Sequence, residues 1–313
     1  MFQRFYPVLL LVWLTVFFFT AALGAPEKSN KITILFPDVS EVHGHLFQGL
    51  IEGIQSVPGY EFNVFRVDEA TTRNDILAHI HEKNIAGIIA LGQTSYKLAE
   101  SLNSTLPVVA GGMVVTPPGV SGISLTADPE AFFRNLQILS PGIVRVHLVY
   151  TDTSLGWLMD RITGTSEKYG IKVQSYRAEN AREAIGLYKT VYETIQGDRE
   201  AVWLPLDNVV PYNILLPGLL QMAWEKNVTV FSNNIQHARQ GVLFALYPDH
   251  YKQGRRLVSI LAQHLDNQSA GDILLTSVDV KVAVNIRTAG HLNQKYSRPI
   301  LEKIDQIYPA YND

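Results

Sequence analysis

The chain has 313 residues, 47% of them hydrophobic, with a formal net charge of −3 and no cysteine. Such a length suits two domains of about 130 residues, each able to fill its own core. Without cysteine there are no disulfides, no thiol catalysis, no thiolate metal site and no lipid-modified N-terminal cysteine. With no recurring Lys/Arg face, nucleic acid has no electrostatic footprint and is not an expected partner.

Arg4, the apolar run from Val8 to Phe19 and the small residues Ala22-Leu23-Gly24 have the layout of a signal peptide over residues 1–24, cleaved after Gly24. An uncleaved anchor is the competing reading, but the run is shorter than the ~20 residues a spanning helix needs. The expected destination is the periplasm, and the mature chain is expected not to span the membrane. In such a cell the sequons at Asn103, Asn227 and Asn267 read as chance matches.

After a polar leader, a strand is expected over Lys31 to Phe36. A helix follows from Glu41, where Leu46, Leu50, Ile51 and Ile54 form one apolar stripe. A strand from Tyr60 to Val67, a helix from Arg73 to Lys83, a strand from Ile85 to Leu91 and a helix from Tyr96 to Leu102 come next. A strand from Leu106 to Ala110 leads into turns between Gly111 and Gly122 around a short strand near Ile123. Asp128-Pro129-Glu130 is a helix start, with the Asp128 carboxylate beside free amides and proline at the first helical position. The first crossing between lobes is expected just before it.

The second unit repeats the plan. Strands are expected at Arg145 to Tyr150, Lys172 to Tyr176, Ala201 to Pro205 and Val228 to Phe231. The helices between them end at Tyr169, Ile195 and Lys226, and Pro217-Gly218 is expected to interrupt the last. Beyond these lie a strand at Val242 to Leu246, an amphipathic helix from Tyr251 to Leu265, a strand at Val280 to Ile286 and a polar helical tail.

Four of the apolar runs break off into polar or small residues before a helix: Ile32 to Asp38, Ala86 to Ser95, Val144 to Ser154 and Val202 to Asn208. Continuous apolar runs of strand length indicate parallel strands buried on both faces. The fold class is therefore α/β, with two Rossmann-like lobes of parallel sheet joined by several crossings that act as a hinge. The first lobe is expected to take residues 25–126 and 237–265, and the second 127–236 and 266–313.

Ligands of such sheets bind beyond the carboxyl ends of the strands. Thr94, Ser95, Thr153 and Ser154 place hydroxyls at helix starts, where free amides attract a carboxylate. Their plainer role is helix capping. Asp207 and Asp249 suit a ligand ammonium or, equally, a cap or hinge ion pair. Tyr150, Tyr247 and Phe36 suit aromatic walls or core. His43-Gly44-His45 and His79-Ile80-His81 resemble metal-ligand pairs, yet residues two apart on a helix point away from each other, so no metal is expected. No G-x-S-x-G, H-E-x-x-H or G-x-x-x-x-G-K-[ST] motif occurs, and neither an enzyme nor a cofactor is expected.

Val202 to Asn208 (VWLPLDN), Val228 to Asn234 (VTVFSNN), Gly241 to Leu265 (GVLFALYPDHYKQGRRLVSILAQHL) and Ala283 to Leu292 (AVNIRTAGHL) resemble the ABC transporter substrate-binding proteins of the tryptophan/tyrosine type. This resemblance, which covers nearly all of the mature chain, implies a type I periplasmic-binding fold, no catalysis and a small ligand in the cleft, aromatic amino acids being known ligands. It matches Gln93-Thr94-Ser95, Tyr150 to Ser154, Asp207-Asn208 and Asp249 to ligand-binding loops. Asn234 stands where an acid is common, and the segment from Gly111 to Ser121 is shorter than the family's loop.

The expected ligand-binding set is Asp38, Gln93, Thr94, Ser95, Tyr150, Asp152, Thr153, Ser154, Asp207, Asn208, Asn234 and Asp249. The expected function is a monomeric periplasmic binding protein that delivers its ligand to an ABC permease. The alternative partner is a membrane sensor protein to which the chain reports ligand.

Overall fold

The computed structural model describes residues 29–38, 41–114, 119, 121–266 and 273–309. The expected signal peptide and the Asn267 sequon lie outside these residues. The first lobe opens with β1 (Lys31–Pro37), α1 (Glu41–Gln55), β2 (Glu61–Val67), α2 (Arg73–Lys83), β3 (Gly87–Leu91), α3 (Gly92–Ala99), β4 (Val108–Met113) and β5 (Ser121–Ala127). The chain then crosses to α4 (Pro129–Leu139), β6 (Arg145–Tyr150), α5 (Asp152–Leu155), α6 (Met159–Lys168), β7 (Lys172–Arg177) and α7 (Ala181–Thr194). It continues through β8 (Glu200–Leu204), α8 (Tyr212–Lys226), β9 (Thr229–Ser232), α9 (Ile235–Gln240) and β10 (Phe244–Pro248). The return comprises α10 (His250–Asp266), β11 (Leu274–Ser277), β12 (Val280–Asn285), α11 (Ile286–His291), α12 (Arg298–Leu301) and β13 (Gln306–Tyr308).

Two sheets result, in the orders β11-β5-β4-β3-β1-β2 and β13-β12-β10-β9-β8-β6-β7. Every pairing is parallel except β10 with β12. Position in the sheet explains the sequence pattern. Central β3 and β8 are buried at every residue, because helices cover both faces, and they read as apolar runs, β8 from Ala201 onward. Edge strand β7 has only exposed and half-buried residues and carries Lys172, Gln174 and Arg177.

In the first lobe, Ile32, Ile34, Ile89 and Val109 face α1 and α10, while Leu35, Ile88, Ala90 and Ala110 face α2 and α3. Fully burying each such aliphatic side chain contributes roughly 1.5–3 kcal/mol. The seam between α1 and α10 is too close for side chains. A Cβ on Gly53 would lie 2.0 Å from the Tyr251 carbonyl oxygen, and one on Gly254 would lie 2.2 Å from that of Leu50. In the second lobe, Trp203, Phe132 and Phe231 pack against one another as a three-ring cluster on one face, and Val202 and Leu204 meet α7 and α8 on the other.

Late strands depart from the expected lobe assignment. Phe244–Pro248, placed by sequence in the first lobe, pairs with β9 and β12 of the second sheet. Leu274–Ser277, placed in the second lobe, pairs with β5 of the first. The chain thus crosses at Asp128, at Asp249 and between Ser277 and Val280. These crossings bond to one another: Asp128 N donates to Ser277 O at 2.9 Å, and Asp249 N donates to Asp279 O at 2.9 Å. Gln253 Nε2 donates to Ser124 O at 3.1 Å, and Arg161 and Arg256 pair with Asp128 and Asp279.

Pro217 does not interrupt its helix as expected. Tyr212–Lys226 is continuous, and Pro217 and Gly218 are exposed, so water can reach the backbone carbonyl that the proline leaves without an intrahelical donor.

Candidate functional site

Because the strands run parallel, each lobe gathers its strand-to-helix turns at the carboxyl ends of its sheet. In the first lobe β3 passes directly into α3 through Gly92, whose φ of +77° is easily reached by glycine. The helix therefore starts at Gly92 instead of Tyr96, and Gln93, Thr94 and Ser95 form its first turn. Gln93 and Thr94 are exposed. Ser95 is fully buried, and its hydroxyl has no hydrogen-bond partner among the described residues. At the end of β4, Gly112, Met113 and Val114 continue the wall, and Thr126 Oγ1 of β5 donates to Val114 O at 3.2 Å.

In the second lobe two turns are bound together by one carboxylate. Asp207 Oδ2 accepts from Thr151 N at 3.1 Å and Thr151 Oγ1 at 2.8 Å, and lies 2.5 Å from Ser154 Oγ. Its Oδ1 accepts from the amides of Val209 at 2.7 Å and Val210 at 3.2 Å. Asp207 is thus engaged by the protein itself, locking the turn after β6 to the turn after β8. Of the two roles expected for Asp207, ligand partner or cap, these bonds are of the second kind. Thr153 and Asn208 remain exposed beside it.

Gln93, Gly112, Met113, Val114 and Leu125 of the first lobe and Thr153, Ser154 and Asn208 of the second enclose one cavity of about 410 Å³. Four of the twelve expected site residues, Gln93, Thr153, Ser154 and Asn208, meet here. Met113, Val114 and Leu125 carry no polar signal in the sequence and read there as strand and turn residues.

Other expected residues are engaged elsewhere. Asp38 pairs with Arg66 at 3.2 Å, Arg66 lies over the Phe36 ring, and all three line a separate cavity of about 630 Å³ beside α1. Asp152 pairs with Arg177 at 2.5 Å on the surface. Tyr150 is half-buried against the second-lobe core. Asn234 caps α9, its Oδ1 accepting from Gln236 N at 2.9 Å. Asp249 is buried and accepts from Lys252 N at 3.2 Å at the start of α10, a hinge cap. Tyr247 is half-buried in β10, where burial pushes its phenol up to about 12.

The histidines also have local roles. His79 Nε2 lies 2.6 Å from Thr33 Oγ1, and its ring packs on Phe65. Burial lowers the His237 pKa to about 4, with Nδ1 2.8 Å from Ser232 Oγ. Among the described residues no three His, Asp or Glu side chains converge to hold a metal ion, and no helix is long and apolar enough to cross a membrane.

Two parallel-sheet α/β lobes, with ligand-type turns facing each other, define the type I periplasmic-binding-protein-like fold. Solved structures share it. A ligand-free, open substrate-binding protein with adhesive properties from Clostridium difficile aligns over 88% of this chain and 98% of its own, with 17% identity and a TM-score of 0.61. An ABC domain from Streptococcus pneumonia in complex with L-Trp aligns over 89% of this chain and 99% of its own, with 14% identity and a TM-score of 0.57. A conserved domain protein from Vibrio cholerae aligns over 90% of this chain and 100% of its own, with 16% identity and a TM-score of 0.57. No family model matches the chain, and no curated protein sequence is significantly similar to it.

Proposed function

We propose that the protein is an exported solute-binding protein that captures a small organic solute between its lobes and presents the closed form to an ABC permease. The observation that carries this reading is a cavity lined from both lobes at the carboxyl ends of their strands. Its volume of about 410 Å³ falls within the range of small-molecule sites, roughly 300–1,000 Å³. Three bonded crossings suit closure by hinge, a motion that reads ligand occupancy directly. Export to the periplasm rests on the signal-peptide pattern of residues 1–24. The protein acts by binding and not by catalysis, in keeping with the substrate-binding protein it resembles in fold.

An aromatic amino acid is the ligand suggested by the family resemblance, and the neighbour holding L-Trp makes tryptophan a necessary first probe. The test of capture is calorimetric titration of the purified protein with amino acids and other small metabolites. At 100 times Kd, a bound solute stabilises the folded state by about 2.7 kcal/mol. Binding with one solute per chain supports the reading, and no heat or stabilisation across the panel removes it. For the partner, loss of uptake of the bound solute when the protein is deleted, restored by its re-expression, is the expected result.

A further inference from the structure

The walls of the interlobe cavity bear on what it holds, and the inference rests on the cavity being the solute site proposed above. Every described residue that lines it is uncharged. The first lobe supplies Met113, Val114 and Leu125 as an aliphatic surface, with the Gln93 carboxamide beside them. The second lobe supplies Thr153, Asn208 and Ser154, whose hydroxyl donates to Asp207.

The nearby carboxylates are engaged by the protein itself. Asp207 accepts hydrogen bonds at both oxygens from Thr151, Ser154, Val209 and Val210. Asp38 and Asp152 pair with Arg66 and Arg177, and Asp249 caps α10. Taking an ammonium out of water without a carboxylate partner is costly, so a zwitterion is poorly served here.

Carboxamides have complementary demands. Each of Gln93 and Asn208 presents a carbonyl acceptor beside an N–H donor, the pattern that pairs with an adjacent N–H and C=O on a ligand. One stands on each lobe, so a solute with two such edges, or one edge and hydroxyls, bridges the cleft. The aliphatic surface covers its remaining face.

We infer that the cleft selects an uncharged solute bearing an amide, imide or lactam edge, such as a nucleoside, over a zwitterionic amino acid. Uridine and thymidine are the polyfunctional probes for the imide edge. A charge series on one carbon skeleton isolates the principle: 4-methylpentanamide is neutral, 4-methylpentanoate anionic and leucine zwitterionic. Tryptophan completes the panel.

The experiment is calorimetric titration of the purified protein with these six compounds, repeated with Asn208→Ala and Gln93→Ala. Expected results are measurable binding of at least one imide or amide probe, no binding of leucine or tryptophan, and at least a tenfold loss of affinity in each variant, the scale of one bidentate pair. Binding of leucine, tryptophan or 4-methylpentanoate with affinity equal to or above that of the neutral probes overturns the solute class while leaving solute capture intact. Unchanged affinity in both variants overturns the role of the carboxamides. No binding by any of the six compounds overturns the class too, and a further null result across the wider metabolite panel then removes solute capture.

Discussion

The two halves of the cleft are built in opposite ways. In the second lobe the turns after β6 and β8 are finished before any solute arrives, because Asp207 clamps Thr151, Ser154, Val209 and Val210 into one hydrogen-bonded unit. In the first lobe the wall consists of Met113 at the end of β4, Val114 after it and Leu125 within β5, with an exposed Gln93 and a buried Ser95 hydroxyl that has no partner among the described residues. One half is tied together by hydrogen bonds, and the other presents mainly aliphatic residues. A preorganised half holds its polar groups in place at little further entropic cost on binding, whereas an aliphatic half tolerates variation in ligand shape.

The largest test of this contrast is Asp207→Ala. Loss of the carboxylate leaves several part-buried donors without an acceptor, and urea unfolding is expected to show destabilisation by about 3 kcal/mol or more. A loss below about 1 kcal/mol contradicts the clamp. Acid acts on the same lobe through His237, whose folded pKa of about 4 lies below its unfolded value near 6.5. The unfolded chain therefore takes up the proton first as pH falls. Stability is full above about 6.5 and declines toward about 4, by an amount on the order of 2 kcal/mol. A His237→Gln variant is expected to give a flatter profile in denaturant titrations over this window, and an unchanged slope assigns the acid sensitivity elsewhere.

Smaller effects belong to single contacts. Thr151→Val removes one hydroxyl bond to Asp207 and is expected to cost about 1–2 kcal/mol by thermal melting. Ser95→Ala in the first lobe is expected to lie within about 0.5 kcal/mol of wild type or slightly above it, since the hydroxyl it removes is buried without a partner among the described residues. If Ser95→Ala destabilised as strongly as Thr151→Val, the two halves would not differ in the way described.

Much of the fold was legible because central parallel strands bury both faces: β3, and β8 from Ala201, announce themselves as apolar runs. The late crossings were not. β11 has four residues and β13 three, too few for periodicity to register, and only pairing shows that β11 belongs to the first sheet. The start of α3 was misplaced because nothing local distinguishes a glycine that ends a strand from one that opens a helix.

At the site, residue type was readable and partnership was not. Hydroxyls and carboxamides at strand ends were picked out, and Gln93, Thr153, Ser154 and Asn208 share a cavity. The acidic residues were ambiguous, because a carboxylate that caps, clamps or pairs looks in sequence like one that awaits an ammonium. Asp38, Asp152, Asp207 and Asp249 all find partners within the protein. Met113, Val114 and Leu125 went unnoticed since apolar residues in strands and turns are ordinary core.

Blocking the cavity tests the central claim most directly. Asn208 is exposed at its mouth, so Asn208→Trp fills space there with little expected change in the melting temperature of the free protein. Melting of wild type and variant is measured with each solute of the metabolite panel. The account predicts that at least one solute raises the wild-type melting temperature and that the same solute leaves Asn208→Trp unmoved; equal shifts in both proteins, or none in the wild type, would contradict it.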